Sequence, residues 1–264
     1  MPSRLHRRSP ALTEPVARGF VDFLGGPVGR FAAVGRQRWW TPLRVLILVA
    51  LVFLSFGFLS KARCLEGVRA DDGRVGLDWS GDRQYVAACY NDITPLYGGR
   101  GLDQGGFPYA FSWVEGDLTR YLEYPVLAGL FQWAVAAVTR LTYPLVDATG
   151  LPVAEASWFF ALTALAMSAL WVLAIRLVAG MAGHRIWDVV LVAASPLIIV
   201  HAFTNWDIPS ITLAVAAMHA ASRSRFGLAG LFIGLGTAFK LWPLYLLGAY
   251  LVLALRDRRI LPFL

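Results

Sequence analysis

Charged residues are scarce in this chain. Asp, Glu, Lys and Arg make up only 16% of its 264 residues, and 57% are hydrophobic. A soluble domain carries about 25% charged residues, well above this chain's share. A composition so apolar and so poor in charge also excludes disordered, collagen-like and coiled-coil proteins. The apolar residues lie in long uncharged blocks that need lipid around them. Although the formal net charge is +7, the basic residues flank apolar blocks, which predicts a membrane protein with no nucleic-acid partner.

Common catalytic motifs are also missing. The sequence contains no Walker loop, no G-x-S-x-G, no H-E-x-x-H and no dinucleotide-binding G-x-G-x-x-G, so no familiar device for ATP or a nucleotide sugar is present. The four histidines are scattered over the chain, which makes a histidine metal cluster improbable. No cofactor and no metal site are predicted, although these patterns do not exclude a divalent metal.

The charges that are present indicate a topology. Residues 1–44 carry eight arginines against two acidic residues, and no apolar segment with a cleavage site opens the chain. Since basic residues stay inside, residues 1–42 are predicted to be a cytoplasmic arm resting near anionic lipid. Residues 43–264 are predicted to form a multi-pass domain in the cytoplasmic membrane.

The number of crossings depends on the block Tyr124–Val138. Its 15 residues are short beside the ~17–25 of a spanning helix, and its second residue is proline. If this block does not cross, every later arginine cluster becomes cytoplasmic. We therefore expect a juxtamembrane helix on the outer face, followed by a turn near Pro144–Pro152. The six predicted spans are Leu43–Leu59, Ala156–Val178, Trp187–Phe203, Ile208–Ala221, Phe226–Phe239 and Leu241–Leu255.

The segment 60–123 is predicted to be an ordered extracytoplasmic loop. From Lys61 to Glu123 it holds seven basic and ten acidic residues, together with Cys64 and Cys89, the two cysteines of the chain. On the oxidising side of the membrane, a disulfide between them is favoured over two unrelated buried thiols.

Four polar features gather at the outer face in this topology: the loop, Glu123–Pro125, Asn205–Asp207 and Lys240. A lysine inside an apolar stretch indicates an anion site, with a lysine reaching to the interface as the alternative. Asp92 fits either a helix N-cap or a general base. Asp207 likewise fits a cap.

Together these pieces resemble membrane glycosyltransferases of the GT-C class, and most closely the actinobacterial polyprenol-phosphate-mannose-dependent mannosyltransferases of glycosyltransferase family 87. The matching pieces are Asn91-Asp92-Ile93 with Tyr97, Glu123–Leu127, Asn205–Asp207 and Gly230–Pro243. The chain departs from the family pattern where Pro95 moves the tyrosine one place later and where Val126 replaces a second proline. Because family members are about twice as long, the chain is expected to be an N-terminal portion.

The resemblance implies an all-α polytopic fold with about six transmembrane helices, and transfer of a mannosyl or similar unit to a glycan or glycolipid acceptor. Asp92 would be the catalytic base, and Lys240 would lie near the phosphate of the lipid-linked sugar donor. The residues expected to bind substrate are Lys240, Asp207, Asn205, Tyr124, Arg100 and Arg120. A transporter or flippase of lipid-linked sugars and an inactive membrane scaffold are the alternatives.

Overall fold

The computed structural model describes residues 39–71 and 73–256, and these are mostly helical. The helices are α1 (Pro42–Lys61), α2 (Arg83–Val86), α3 (Ile93–Gly99), α4 (Val126–Asp147), α5 (Glu155–Ala182), α6 (Val190–Ala193), α7 (Pro196–His201), α8 (Asp207–Ser222), α9 (Phe226–Phe239) and α10 (Leu246–Arg256). The strands are β1 (Gly67–Arg69), β2 (Val75–Leu77), β3 (Ser112–Glu115) and β4 (Leu118–Tyr121). The predicted cytoplasmic arm lies, up to residue 38, outside the described residues.

Among the described residues, three helices are long and apolar enough to cross a membrane: α1 with its 3-10 extension to Cys64, α4 and α5. The six predicted spans are therefore not reproduced as six long helices. The predicted span Trp187–Phe203 is wrong as a single helix, since it divides into a 3-10 turn (Gly183–Val189), α6 and α7. Pro196 causes the break, because it has no N–H to donate and holds Ser195 in an extended conformation.

Helix α4 also differs from its prediction. It runs for 22 residues, and Pro144 lies inside it instead of starting a turn. The loop packs along its length: Tyr109 contacts Gly129, the rings of Phe107 and Trp133 lie 5.5 Å apart, and Arg140 donates to the carbonyl of Leu102. Because these contacts cover about 16 Å of helix, both halves of α4 lie against the loop.

The core forms where α1, α5 and the chain before α8 meet. The rings of Phe58, Phe160 and Phe203 pack together with centroid separations of 5.6–6.5 Å. Gly57 lets the backbone of α7 approach α1 closely, since a β-carbon there would lie 3.1 Å from the carbonyl oxygen of Ile198. This packing fixes the end of α1 beside the segment that leads into α8.

The loop after α1 is ordered, and it adds short strands to a mostly helical fold. It contains two antiparallel hairpins, β1–β2 and β3–β4, separated by short helices. Glycines with positive φ at Gly73 and Gly116 form their turns, as hairpin turns require. Cys64 and Cys89 form the disulfide that the sequence predicts, and both are buried. The disulfide ties the segment before Asp92 to the end of α1.

Candidate active site

Polar residues that are distant in the sequence meet at one end of the helices. The Nζ of Lys61, at the end of α1, donates to Thr204 Oγ1 at 3.2 Å. The ring of Tyr124, just before α4, packs edge-on against Trp206 with 5.3 Å between centroids. Asp207, at the start of α8, forms an ion pair with Lys240. The loop, the start of α4, the turn before α8 and the end of α9 therefore form one site.

Asp92 does not cap α3 with its side chain. Asp92 has an αR backbone and makes no side-chain capping bond. Asn91 caps the helix instead: its Oδ1 accepts hydrogen bonds from the Thr94 N–H at 2.9 Å and from the Thr94 hydroxyl at 3.1 Å. Asp92 Oδ1 instead accepts from the Tyr90 hydroxyl at 2.6 Å, and this bond raises the pKa of Tyr90. Within the described residues no hydrogen bond reaches Asp92 Oδ2. The carboxylate is half-buried and has one oxygen free to accept a proton.

The backbone joins Asp92 to the turn that carries Asp207. The Asp92 N–H donates to the carbonyl of Thr204 at 2.7 Å, three residues before Asp207. In the turn, Asn205 Oδ1 and Trp206 Nε1 are buried without a hydrogen-bond partner among the described residues. Such groups are costly to bury unpaired. A hydroxyl could donate to the Asn205 oxygen or accept from the Trp206 N–H, whereas a phosphate oxygen could only accept from Trp206.

Lys240 lies where α9 ends. The helix stops at Phe239, where the predicted span ends, and Lys240 has an extended backbone. Asp207 is the first residue of α8, with Trp206 at the N-cap, so its predicted capping role is wrong. The carboxylate pairs with the Lys240 ammonium, and both side chains are about one-third exposed. The pair is partly open to a ligand.

Arg100 is held by Glu123 beside Tyr124. Its guanidinium forms two hydrogen bonds with the Glu123 carboxylate, at 2.6 and 3.2 Å, and lies 4.2 Å above the ring of Trp113. Burial opposes ionisation of Glu123, but the Arg100 bonds outweigh it and lower the pKa of that carboxyl. Burial, aided by the charge of Asp92, raises the pKa of Tyr124. Tyr124 is therefore a neutral hydrogen-bond donor in this site.

Arg120 lies at the edge of this cluster, where its charge helps lower the pKa of Glu123. It forms an exposed ion pair with Glu115 across the β3–β4 hairpin, with 3.4 Å between the charged atoms. Exposed ion pairs of this kind contribute little to the stability of the fold. Nothing in the structure brings Arg120 against the Asp207–Lys240 pair, as a shared phosphate site would require.

Lys61 is the residue that sequence reasoning missed. Its side chain is buried, and its Nζ also donates to the carbonyl of Tyr90 at 2.8 Å. Together with its bond to Thr204, Lys61 links the segment before Asp92 to the segment before Asp207. A lysine at the end of an apolar span normally reaches water, so its sequence position gave no signal of this inward orientation.

An apolar groove starts beside the charged pair. It has a volume of about 580 Å³ and follows α8 from Pro209 to Arg223, which is about 21 Å of helix. At one end the rings of Phe131 and Phe239 lie 6.1 Å apart, and Phe239 directly precedes Lys240. The opposite end carries His219, Arg223 and Arg225; the walls between are mainly leucine, alanine and phenylalanine.

Among the described residues, no group of three or more His, Cys, Asp or Glu side chains is placed to hold a metal ion. The charged groups of the site are the Asp92 carboxylate, the Lys61 ammonium and the two ion pairs, Asp207–Lys240 and Glu123–Arg100. They suit proton transfer and the binding of an anion at the edge of an apolar phase.

Long apolar helices with a charged site at one end are typical of a membrane-bound protein. The family model described as glycosyltransferase family 87 matches residues 121–263, more than half of the chain. This chain belongs to glycosyltransferase family 87. The matched region includes Tyr124, Asp207 and Lys240 and begins after Asp92, whose role therefore depends on its geometry. Searches of the curated proteins and of the solved structures give no match.

Proposed function

We propose that this protein transfers a mannosyl or similar glycosyl unit from a polyprenyl phosphate to an acceptor hydroxyl at the extracytoplasmic face of the membrane. One observation carries the proposal: the Asp92 backbone bonds to the turn before Asp207, and Asp207 pairs with Lys240. Phe239, the residue before Lys240, lines an apolar groove. A base, an anion-binding cation and a lipid-sized groove are the three parts that this reaction needs.

Asp92 acts as the general base. A sugar hydroxyl is a poor nucleophile at neutral pH, and a carboxylate that accepts its proton assists its attack on C1 of the donor sugar. Tyr90 holds one oxygen of Asp92 and leaves the other for the acceptor. A new bond forms between C1 and the acceptor oxygen as the bond between C1 and the phosphate oxygen breaks, which inverts the configuration at C1.

Lys240 binds the leaving phosphate, which takes the electron pair of the broken bond. An ammonium group stabilises the charge that develops on it, so no general acid is required. Asp207 orients Lys240, and the Asn205 oxygen and Trp206 N–H are buried in the turn just before Asp207. Arg100, already paired with Glu123, acts with Tyr124 in shaping the sugar pocket. No step in this scheme calls for a cofactor.

The groove along α8 holds the isoprenoid chain of the donor. Its walls match an apolar chain, and its start beside Phe239 places the phosphate of such a lipid next to Lys240. Burial of apolar surface contributes about 25 cal/mol per Å², so the chain supplies donor affinity without taking part in the chemistry.

The topology that supports this reaction places α4 in the outer interface. From Gly129 to Arg140, α4 contacts the loop. Glu155, which follows α4, accepts a hydrogen bond from Tyr97 of α3 in the same loop at 2.8 Å. Both observations favour a topology in which the two ends of α4 lie on one side of the membrane.

Single cysteines test this topology in the otherwise native chain, whose own cysteines are disulfide-bonded. Cysteines at Thr119 and Thr149, before and after α4, should both react with an impermeant thiol reagent applied from outside. A cysteine at Ser222, at the other end of α8, should be protected and serves as the matched control. If the Thr149 site is protected like the Ser222 site, α4 crosses the membrane and the proposed topology is wrong.

The donor class is tested with the full-length chain in proteoliposomes. Labelled polyprenyl-phosphate mannose and GDP-mannose are offered in separate reactions, with octyl α-mannopyranoside as the acceptor. We expect a labelled disaccharide product from the lipid-linked donor alone. Product formed from GDP-mannose in lipid vesicles free of polyprenyl phosphate would overturn the proposed donor.

A further inference from the structure

We infer that Tyr85 and Tyr90 form an aromatic platform that binds the terminal sugar ring of the acceptor and presents its hydroxyl to Asp92. This inference rests on the proposed function and extends it with a binding site for the acceptor. The ligand class is a pyranose sugar, carried by a glycan or glycolipid, with one ring face that presents C–H groups and no hydroxyls.

The two rings stack beside the candidate base. Their planes differ by only 9°, with 6.2 Å between centroids. Tyr85 is 68% exposed and Tyr90 is 45% exposed, although aromatic rings of this size are usually well buried. The Tyr90 hydroxyl bonds to Asp92 Oδ1, so the platform ends at the carboxylate.

The platform is rigid without a ligand. The Tyr90 N–H donates to the carbonyl of Gln84 at 3.1 Å, and the Ala88 N–H donates to the carbonyl of Tyr85 at 3.1 Å. Ala88 has a φ of 52°, a left-handed conformation that residues other than glycine rarely adopt. The following residue, Cys89, is fixed by the disulfide. A turn held in this conformation keeps the two rings stacked, which lowers the entropic cost of binding.

The chemistry of the surface fits a sugar. The axial and ring C–H bonds of a pyranose carry partial positive charge and pack against the negative face of an aromatic ring. The hydroxyls of the same sugar point outward from its edge, where Asp92 Oδ2 is open to accept one. An aromatic surface next to a carboxylate therefore orients one sugar hydroxyl for attack. A lipid or a protein chain bound there would not need a hydroxyl placed in this way.

Kinetics with the full-length chain in proteoliposomes test the platform. Tyr85→Ala should raise the KM for octyl α-mannopyranoside about fivefold to tenfold, the loss expected for one stacking contact. Tyr85→Phe keeps the ring and should retain the parent KM. Val86→Ala, at the neighbouring and highly exposed position, is the matched control and should also retain it. An acceptor KM for Tyr85→Ala equal to that of the parent would overturn the inference.

A binding measurement separates the platform from the proposed reaction. With 3-fluorotyrosine at position 85, methyl α-mannopyranoside should shift the fluorine resonance saturably in the millimolar range. If the parent transfers no sugar yet this shift occurs, the proposed reaction fails and the platform stands. If the sugar causes no shift while a nitroxide-labelled phospholipid broadens the resonance, Tyr85 lies in the membrane interface and the inference is wrong.

Discussion

Asp92→Asn should lose sugar transfer by a factor of about 10²–10⁴, the usual contribution of a general base. The substitution keeps the shape of the side chain, and the amide oxygen can still accept the hydrogen bond from Tyr90. Asn91, not Asp92, caps α3, so the helix should form normally. The variant should therefore insert into the membrane and bind the lipid-linked donor with the parent affinity. Initial rates of transfer in proteoliposomes measure the effect.

Asp117→Asn is the matched control for this experiment. It makes the same chemical change in the exposed turn between β3 and β4, and the rate should stay within twofold of the parent's, in the range of about ±0.5 kcal/mol expected for a surface substitution. If Asp92→Asn transfers sugar as fast as Asp117→Asn, then Asp92 is not the base. Asp207 would be the next carboxylate to test.

Lys240→Met should raise the KM for the lipid-linked donor by about 10- to 100-fold, since a hydrogen bond to a charged group contributes about 1.5–3 kcal/mol. The acceptor KM should change far less, because the proposed acceptor contact is with Asp92 and not with Lys240. Methionine keeps most of the apolar stem, so packing near Phe239 is retained. Donor titrations at saturating acceptor give the value directly.

Two further variants identify the cause of that change. Lys240→Arg retains the charge and should recover most of the donor affinity, although its geometry differs. Asp207→Asn combined with Lys240→Met should be no worse than Lys240→Met alone if Asp207 acts by orienting the lysine, because coupled residues are not additive. A parent-like donor KM for Lys240→Met would show that the phosphate binds elsewhere.

The sequence predicted the parts of this protein that depend on composition and charge. The helix at Phe226–Phe239 has the predicted bounds, because a charged residue flanks each end of an apolar block. The loop carries the predicted disulfide, and the signal was that both cysteines of the chain lie in this one segment. The helix break at Lys240 was predicted as well, but its ion pair with Asp207 was not.

The features that depend on tertiary packing were not predictable from composition. Helix α4 continues through Pro144, because a proline near the end of a helix removes only one backbone hydrogen bond. Contacts with the loop also hold this helix in place. The choice of Asn91 over Asp92 as the cap depends on one backbone conformation, and neighbouring polar residues give the same sequence signal. The inward orientation of Lys61 is set by its acceptors, Tyr90 and Thr204, which are distant in the sequence.

The most direct test of the central claim measures both products of the reaction at once. Full-length parent protein in proteoliposomes receives doubly labelled polyprenyl-phosphate mannose, with one label on the sugar and one on the lipid, and octyl α-mannopyranoside as the acceptor. Free polyprenyl phosphate and mannosylated acceptor are then quantified by mass spectrometry over time. The account predicts that the two appear in equal amounts and that Asp92→Asn suppresses both. Movement of intact donor to the opposite leaflet, with neither product formed, would contradict it and identify a transporter of lipid-linked sugar.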